Sequence, residues 1–571
     1  MPLWQTSRHP LRPLLALTLV ALLALAPLAA QAQRPPEPPY FAIRGARIVT
    51  VSGPVIENGT VVIARGLIAA VGTDVALPPE AWVIDGKGLT VYPGLIDSLT
   101  TLGLPAPAAP GGGAASIGEA LQQAARQPIA RGPEDRPGTT SWENAANNLQ
   151  LPDKRLETWR KGGFTSALTC PDRGIFPGQA AFINLAGERP QDLVVKTPAA
   201  LRVNFSPVGG FWSFPGSLMG ALSYIKQVYL DTDNYAQAWA LYESDPKGRE
   251  RPSYDRALEP VRQAQAGNWP VLLPANLTKE VERALALSAK TGVKPILYGG
   301  QQGYEFADLA AAKKVPVLVS LKWPEKAKDA DPEADEPLRL LRFRDRAPSS
   351  PAALQKAGVK FAFYSDGLGT PAEILKAVKK AIDAGLPAEA ALRALTLSPA
   401  EIYGVGDRLG SIDTGKIANL VVADGDLFNE KTKVKMVFID GEKYEVREPS
   451  RPKEPPTVNL TGKWTLTVST PQGPQESTAD LTMAEDGTLT GSVTGQRGTA
   501  SITSGWVSGA KFSFTLSITM GPRTAEATYT GTVEGAKMSG TVSLGPFTSD
   551  FTGKRPDAGF TLNGFTVNGQ L

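Results

Sequence analysis

The sequence predicts an α/β fold built on a (β/α)8 barrel, with β-rich segments on either side of it and a separate all-β domain at the C-terminus. Three observations lead there. From Trp269 to Thr396 strand-like and helix-like segments alternate, and no dinucleotide fingerprint accompanies them. Runs of β-branched residues stand before and after that alternation, at 41–71 and 434–444. Beyond Val458 the composition turns to Thr, Gly, Ser and β-branched residues, broken into eight short strand segments.

Length and composition bound the reading. A chain of 571 residues is too long for one core, so about two or three domains are expected. Residues 1–32 read as a secretory signal: Arg8 and Arg12 make a basic start, 14–26 is an apolar run, and Ala30-Gln31-Ala32 is a small-residue cleavage site. The apolar run is short for a membrane anchor. The expectation is an exported protein, periplasmic or secreted, with no membrane span after cleavage. The sole histidine, His9, lies inside that segment, so the mature chain would have none. Loss of Arg8 and Arg12 lowers the formal net charge of +3 by two, which gives no basis for binding nucleic acid. One cysteine, Cys170, cannot form an intramolecular disulfide and reads as a small buried residue.

Taken in order, residues 33–39 are a proline-rich lead. Strands are expected at 41–51, 61–64, 67–71 and 82–85, with a turn at 57–60. Gly111-Gly112-Gly113 lacks the lysine and serine of a phosphate loop. A helix is expected at 152–161, ended by Gly162-Gly163, then strands at 164–169, 178–185 and 201–205. The aromatics Phe205, Phe211, Trp212 and Phe214 surround a turn-rich segment and read first as packing under a loop, with a pocket wall or lid as the alternative. Ser217 caps a helix over 217–243 with apolar spacing at Leu218, Leu222, Ile225 and Tyr229, and a second helix covers 253–266. Strands at 270–275, 295–298, 315–321 and 359–364 then alternate with helices at 278–291, 304–313, 348–357, 371–384 and 387–396, Thr278 capping the first. Residues 325–337 are a charged loop, and Lys161, Lys294, Lys322 and Lys360 read as solvated.

Several motifs carry a resemblance. Residues 91–104 read V-Y-P-G-L-I-D-S-L-T-T-L-G-L, 57–72 read E-N-G-T-V-V-I-A-R-G-L-I-A-A-V-G, and 391–426 contain S-P-A-E-I-Y-G…G-S-I-D-T-G-K-I-A-N-L-V. Over 41–446 the chain resembles the amidohydrolase superfamily, imidazolonepropionase-like members among them. The resemblance implies one composite β-sandwich domain from 40–96 and 405–446 around a TIM-like barrel at 97–404. A linker follows at 447–458, then a domain at 459–556 and a tail at 557–571. Leu460-Thr461-Gly462-Lys463-Trp464 loosely resembles the opening of avidin-like and lipocalin-like barrels, with Trp464 plugging one end.

The family uses a divalent metal at the barrel mouth, held mostly by histidines. Its first-strand pair corresponds to Leu99 and Thr101, and its later histidine positions to Pro274 and Gly299. The last-strand aspartate is kept as Asp366, the catalytic candidate, and Asp97 is kept as a support of the first strand. Asn419 stands where the family commonly has aspartate. No cofactor is predicted, although a metal is the family expectation; Asp97 and Asp366 could hold only a hard cation such as magnesium or calcium. Three readings stay open. The barrel has lost metal catalysis and is a binding or scaffold subunit, its partner a small molecule or a homologous amidohydrolase subunit. Alternatively, it hydrolyses C–N bonds of amides, cyclic amides or small peptides around Asp366. Alternatively, the C-terminal β-domain carries the binding function.

Overall fold

The computed structural model describes residues 40–105, 131–208, 213–326, 335–446, 454–555, 560–562 and 565–567, with two-residue breaks after 470, 495, 520 and 544. The signal segment, the triple glycine, Phe211 and Trp212 lie outside the described residues.

The barrel expected from the alternation is present. Its strands are β1 (Leu95–Thr100), β2 (Phe164–Thr169), β3 (Gly178–Asn184), β4 (Val194–Arg202), β5 (Val271–Ala275), β6 (Pro295–Gly299), β7 (Val317–Ser320) and β8 (Phe361–Tyr364). They form one eight-stranded sheet in chain order. Between β8 and β1 the closure is made by side chains: Ser98 Oγ donates to the Phe363 carbonyl at 2.5 Å, and the Ser365 N–H donates to Asp97 Oδ1 at 3.1 Å. All neighbours pair parallel except β3, which runs antiparallel to both β2 and β4. Short connections cause this reversal: eight residues between β2 and β3 leave no room for a crossover helix. Inside the barrel Ile96, Leu168, Phe182, Leu272, Ile296 and Leu318 are buried together. Continuous apolar strands are what a parallel sheet covered on both faces requires.

Around the strands the helices follow the expected caps. Ser217 Oγ accepts from the Gly220 N–H at the start of Leu218–Ser244, and Asp153 accepts from the Arg155 N–H at the start of Lys154–Lys161. Phe205 is buried and Phe214 meets the Tyr224 ring edge-on at 5.8 Å, so these two aromatics do pack beneath a loop. Three local expectations change. Thr278 is the first helical residue rather than the cap, because Glu280 turns back to accept the N–H groups of Asn276 and Leu277. The segment 57–60 lies inside strand Ile56–Ala64; Asn58 takes φ 55°, a conformation asparagine tolerates, as a local irregularity rather than a turn. The helix at 253–266 is shortened to Glu259–Gln265, the preceding turn being held by Asp255.

The flanking β-rich segments join into one eight-stranded sheet. Thr90–Pro93 from the first half pairs antiparallel with Leu420–Ala423 from the second. A buried polar node ties this sheet to the barrel: Asn419 Nδ2 donates to Ser166 Oγ at 3.0 Å and to Asn184 Oδ1 at 2.8 Å.

The C-terminal domain is a closed antiparallel barrel of β9 (Gly462–Thr470), β10 (Gly473–Met483), β11 (Leu489–Gly495), β12 (Gly498–Ser508), β13 (Lys511–Met520), β14 (Arg523–Glu534), β15 (Lys537–Leu544) and β16 (Phe547–Lys554). Strand β16 pairs back onto β9, so no edge is left. Its interior is filled: Phe512, Phe514, Tyr529 and Phe551 form contiguous ring contacts, and Trp464 is fully buried, its indole N–H donating to the Leu460 carbonyl at 2.9 Å. The tail includes a short hairpin, Phe560–Leu562 with Phe565–Val567.

Candidate functional site

The C-terminal ends of β1, β4, β6 and β8, with the loops after β1 and β8, line a cavity of about 440 Å³ at the end where an α/β barrel places its chemistry. Leu99, Thr101 and Asp366 all line it. Asp97, Pro274 and Gly299 do not. Asp97 lies behind the wall, 1% exposed, with Oδ2 facing the Trp159 indole N–H at 3.4 Å. Burial pushes its carboxyl up to about 6, opposed by the hydrogen bonds from Ser365, Trp159 and Leu99. Its hydrogen bond from the Ser365 N–H joins β1 to the end of β8.

Asp366 follows β8 in the left-handed backbone region at φ 50° and is exposed. Ser320 Oγ, at the end of β7, donates to its Oδ2 at 2.7 Å and is itself in reach of the buried Gln301 amide at 3.3 Å. A carboxylate positioned in this way can accept a proton from a ligand group.

The remaining lining was not foreseen. Arg202 at the end of β4, Tyr298 in β6, Tyr364 in β8 and Asp172 all face the cavity. Arg202 Nε donates to Asn204 Oδ1 at 3.1 Å, and Tyr298 OH donates to the same oxygen at 2.6 Å. The guanidinium carbon lies 5.1 Å from the Tyr298 ring centre. Asn204 is anchored in turn by Nδ2 bonds to the carbonyls of Asp172 and Gly174, each 2.9 Å. Burial raises the Tyr298 and Tyr364 phenols and pushes the Cys170 thiol up to about 12, so all three are neutral near pH 7. One sequence signal pointed to this group: Arg202 is the charged residue ending an otherwise apolar A-A-L-R-V.

Comparison with known proteins bears on this arrangement. The sequence model described as "Amidohydrolase family" matches residues 318–443. An imidazolonepropionase of Geobacillus thermodenitrificans is 41% identical over 85 residues. These matches support an amidohydrolase superfamily member. A second relative, "Amidohydrolase tasK" of Hapsidospora irregularis, is 25% identical over 419 residues, which is 67% of this chain. The chain spans 20% and 39% of these two relatives' own lengths, respectively. Among solved structures an amidohydrolase from Thermotoga maritima MSB8 has the same fold, with a TM-score of 0.59, 24% identity, and coverage of 71% of this chain and all of that one.

The divalent metal that this family implies does not fit the residues present. The first-strand positions offer a buried hydrocarbon, Leu99, and a single hydroxyl, Thr101. Pro274 has no ligating side-chain atom. Gly299 has φ 118°, and a Cβ built there would stand 2.9 Å from Asn276 Cα, so no larger residue fits on this backbone. Among the described residues no group of three or more His, Cys, Asp or Glu could hold a metal. A guanidinium in the same cavity opposes a cation further.

Proposed function

We propose that this chain is a binding member of the amidohydrolase superfamily whose barrel has given up metal-assisted hydrolysis. The observation that carries the reading is the set of strand ends: leucine, threonine, proline and glycine stand at the four positions where the family places ligands, and Leu99 and Thr101 share their cavity with Arg202. In the family a metal polarises a carbonyl and activates water. Here neutral phenols, Arg202 and the carboxylates of Asp172 and Asp366 can orient a ligand. The partner is a small molecule, or an active homologue that this chain stabilises. We further propose export through residues 1–32, which mass spectrometry of the protein from its own cells tests: a first residue near 33 is expected, and an intact Met1 would refute it. Among the described residues no helix is long and apolar enough to cross a membrane.

The deciding experiment is elemental analysis of untagged protein, since a histidine tag supplies false ligands. After incubation with zinc, manganese and magnesium, metal well below one equivalent is expected. About one equivalent that is lost in Asp366→Ala would overturn the reading and favour the second one, hydrolysis of C–N bonds around Asp366. That second reading draws on the Ser320–Asp366 hydrogen bond and predicts turnover of simple amides that Asp366→Asn abolishes.

A further inference from the structure

Among the described residues Arg202 has no carboxylate partner. Among the described residues no ion pair involves it, although most arginines at comparable depth are paired. Its bonding neighbours are Asn204, Tyr298 and Cys170, and burial keeps the last two neutral. Asp172 is the acid whose field reaches it, yet Asp172 is exposed, as is Asp366, so water screens both. The second arginine on the cavity wall, Arg155, is committed elsewhere: it is paired with Asp153 and bonded to the carbonyl of Leu104 at 2.7 Å. A half-buried cation without a counter-charge is costly, and the cost is recovered when an anion arrives.

The geometry around the guanidinium is already fixed. Asn204 holds Nε, the Tyr298 ring lies beside the plane, and Asn204 itself is fastened to two carbonyls. A guanidinium held at its Nε edge can present its terminal nitrogens as a fork, which matches the two oxygens of a carboxylate. Beside Arg202 the wall joins the apolar or aromatic Leu99, Leu102, Trp159, Tyr298 and Tyr364 to Thr100, Thr101 and Ser365, and its two carboxylates, Asp172 and Asp366, oppose a second negative charge on the ligand. A cavity of about 440 Å³ takes a molecule of roughly amino-acid to dipeptide size.

We infer that Arg202 anchors a carboxylate-binding site, and that the barrel takes a small monocarboxylate with an amide or apolar body. This rests on the metal-free reading of the mouth: the fixed positive charge of the arginine stands in the cavity where the family uses a metal cation.

The test uses the full untagged chain after chelator treatment and dialysis, with its metal content measured on the same sample. Calorimetric titration compares N-acetylglycine with its neutral counterpart, N-acetylglycinamide. Saturable binding of the acid, with the amide weaker by roughly tenfold to a hundredfold, is the expected result. Arg202→Gln should lower affinity for the acid by a similar factor and leave the amide unchanged. Arg202→Lys keeps the charge but loses the fork and should fall between. Equal binding of acid and amide by the unmutated protein overturns the inference without needing any variant to fold. So does no binding of either, or undiminished binding of the acid by a folded Arg202→Gln. The metal reading fails separately: one equivalent of metal on the undialysed protein would sink it, whatever the titration shows.

Discussion

Asp97 in the first barrel strand accepts a hydrogen bond from the backbone N–H of Ser365, just past the eighth, at 3.1 Å. The contact joins residues 268 positions apart and, with Ser98 and Phe363, closes the barrel where the strands themselves do not pair. Burial raises the Asp97 carboxyl to about 6, above its unfolded value near 4. Between those two values the folded state holds the proton more tightly, so this group's contribution to stability is full below about pH 4 and is lost as pH rises to about 6. The size is on the order of 2–3 kcal/mol. The difference in unfolding free energy between the natural protein and Asp97→Asn should therefore shift in favour of the natural protein at pH 4.5 relative to pH 7.5. Denaturant melts at both values measure it, and a difference independent of pH would contradict the burial argument.

Gly299→Ala should destabilise the barrel by about 2–4 kcal/mol, since the added methyl meets the Asn276 backbone and the residue must keep a left-handed φ. Gly299→His, the change that would restore a family ligand, should fare worse and bind no metal. Urea melts and elemental analysis check the pair; a stable Gly299→His protein with bound zinc would show that the β6 backbone yields.

Asn419→Asp restores the family's usual residue and should nevertheless cost about 1–3 kcal/mol. The Asn419 amide now donates to Ser166 and to Asn184 Oδ1, while Asn184 Nδ2 donates to Asp440. An aspartate would face the Asn184 oxygen. Turning the Asn184 amide over would only transfer the repulsion to Asp440. Asn419→Asp with Asn184→Ala should lose less than the two single changes summed, which a double-mutant cycle measures.

Trp464→Ala should cost the C-terminal barrel about 3–5 kcal/mol, through the lost volume and the lost Leu460 hydrogen bond. Arg555, whose guanidinium lies 4.6 Å from the ring centre, would lose its aromatic partner. Calorimetry of the full chain reads the effect. A change below about 1 kcal/mol would mean that the tryptophan does not plug this barrel.

Much of this architecture was legible. The alternation after Trp269 placed β5 to β8, and the eight C-terminal strands fell where Thr-rich and β-branched runs alternate with Gly turns. These signals are local, and local patterns survive folding. The reversal of β3 was not legible, because Q-A-A-F-I-N is equally apolar whichever way it runs; direction depends on connection length and on what the neighbours leave open. At the site, the missing histidines were plain from Leu99, Thr101, Pro274 and Gly299. The polar group beside those positions was not, since Arg202, Asn204 and Tyr298 come from segments nearly 100 positions apart and meet only when β4 and β6 stand on the same cavity. Asp366 stands out in the sequence because it lies in a motif, and its fastening to Ser320 emerges only in three dimensions.

The reversed strand also bears on the order in which the chain assembles. A regular α/β barrel must bring each strand past a helix before it can pair. Here β2, β3 and β4 occupy 164–202 and pair as a contiguous antiparallel meander, with Phe182 fully buried at its centre. Such pairing needs only short loop closures, so the meander is the natural nucleus onto which the later strands add. Phe182→Ala should then slow refolding, while Phe363→Ala in the last strand should chiefly hasten unfolding. Stopped-flow kinetics separates the two, and the reverse pattern would place the nucleus elsewhere. On this view the loss of two crossover helices, before and after β3, gives the barrel a starting point that a regular α/β barrel must find over longer stretches of chain.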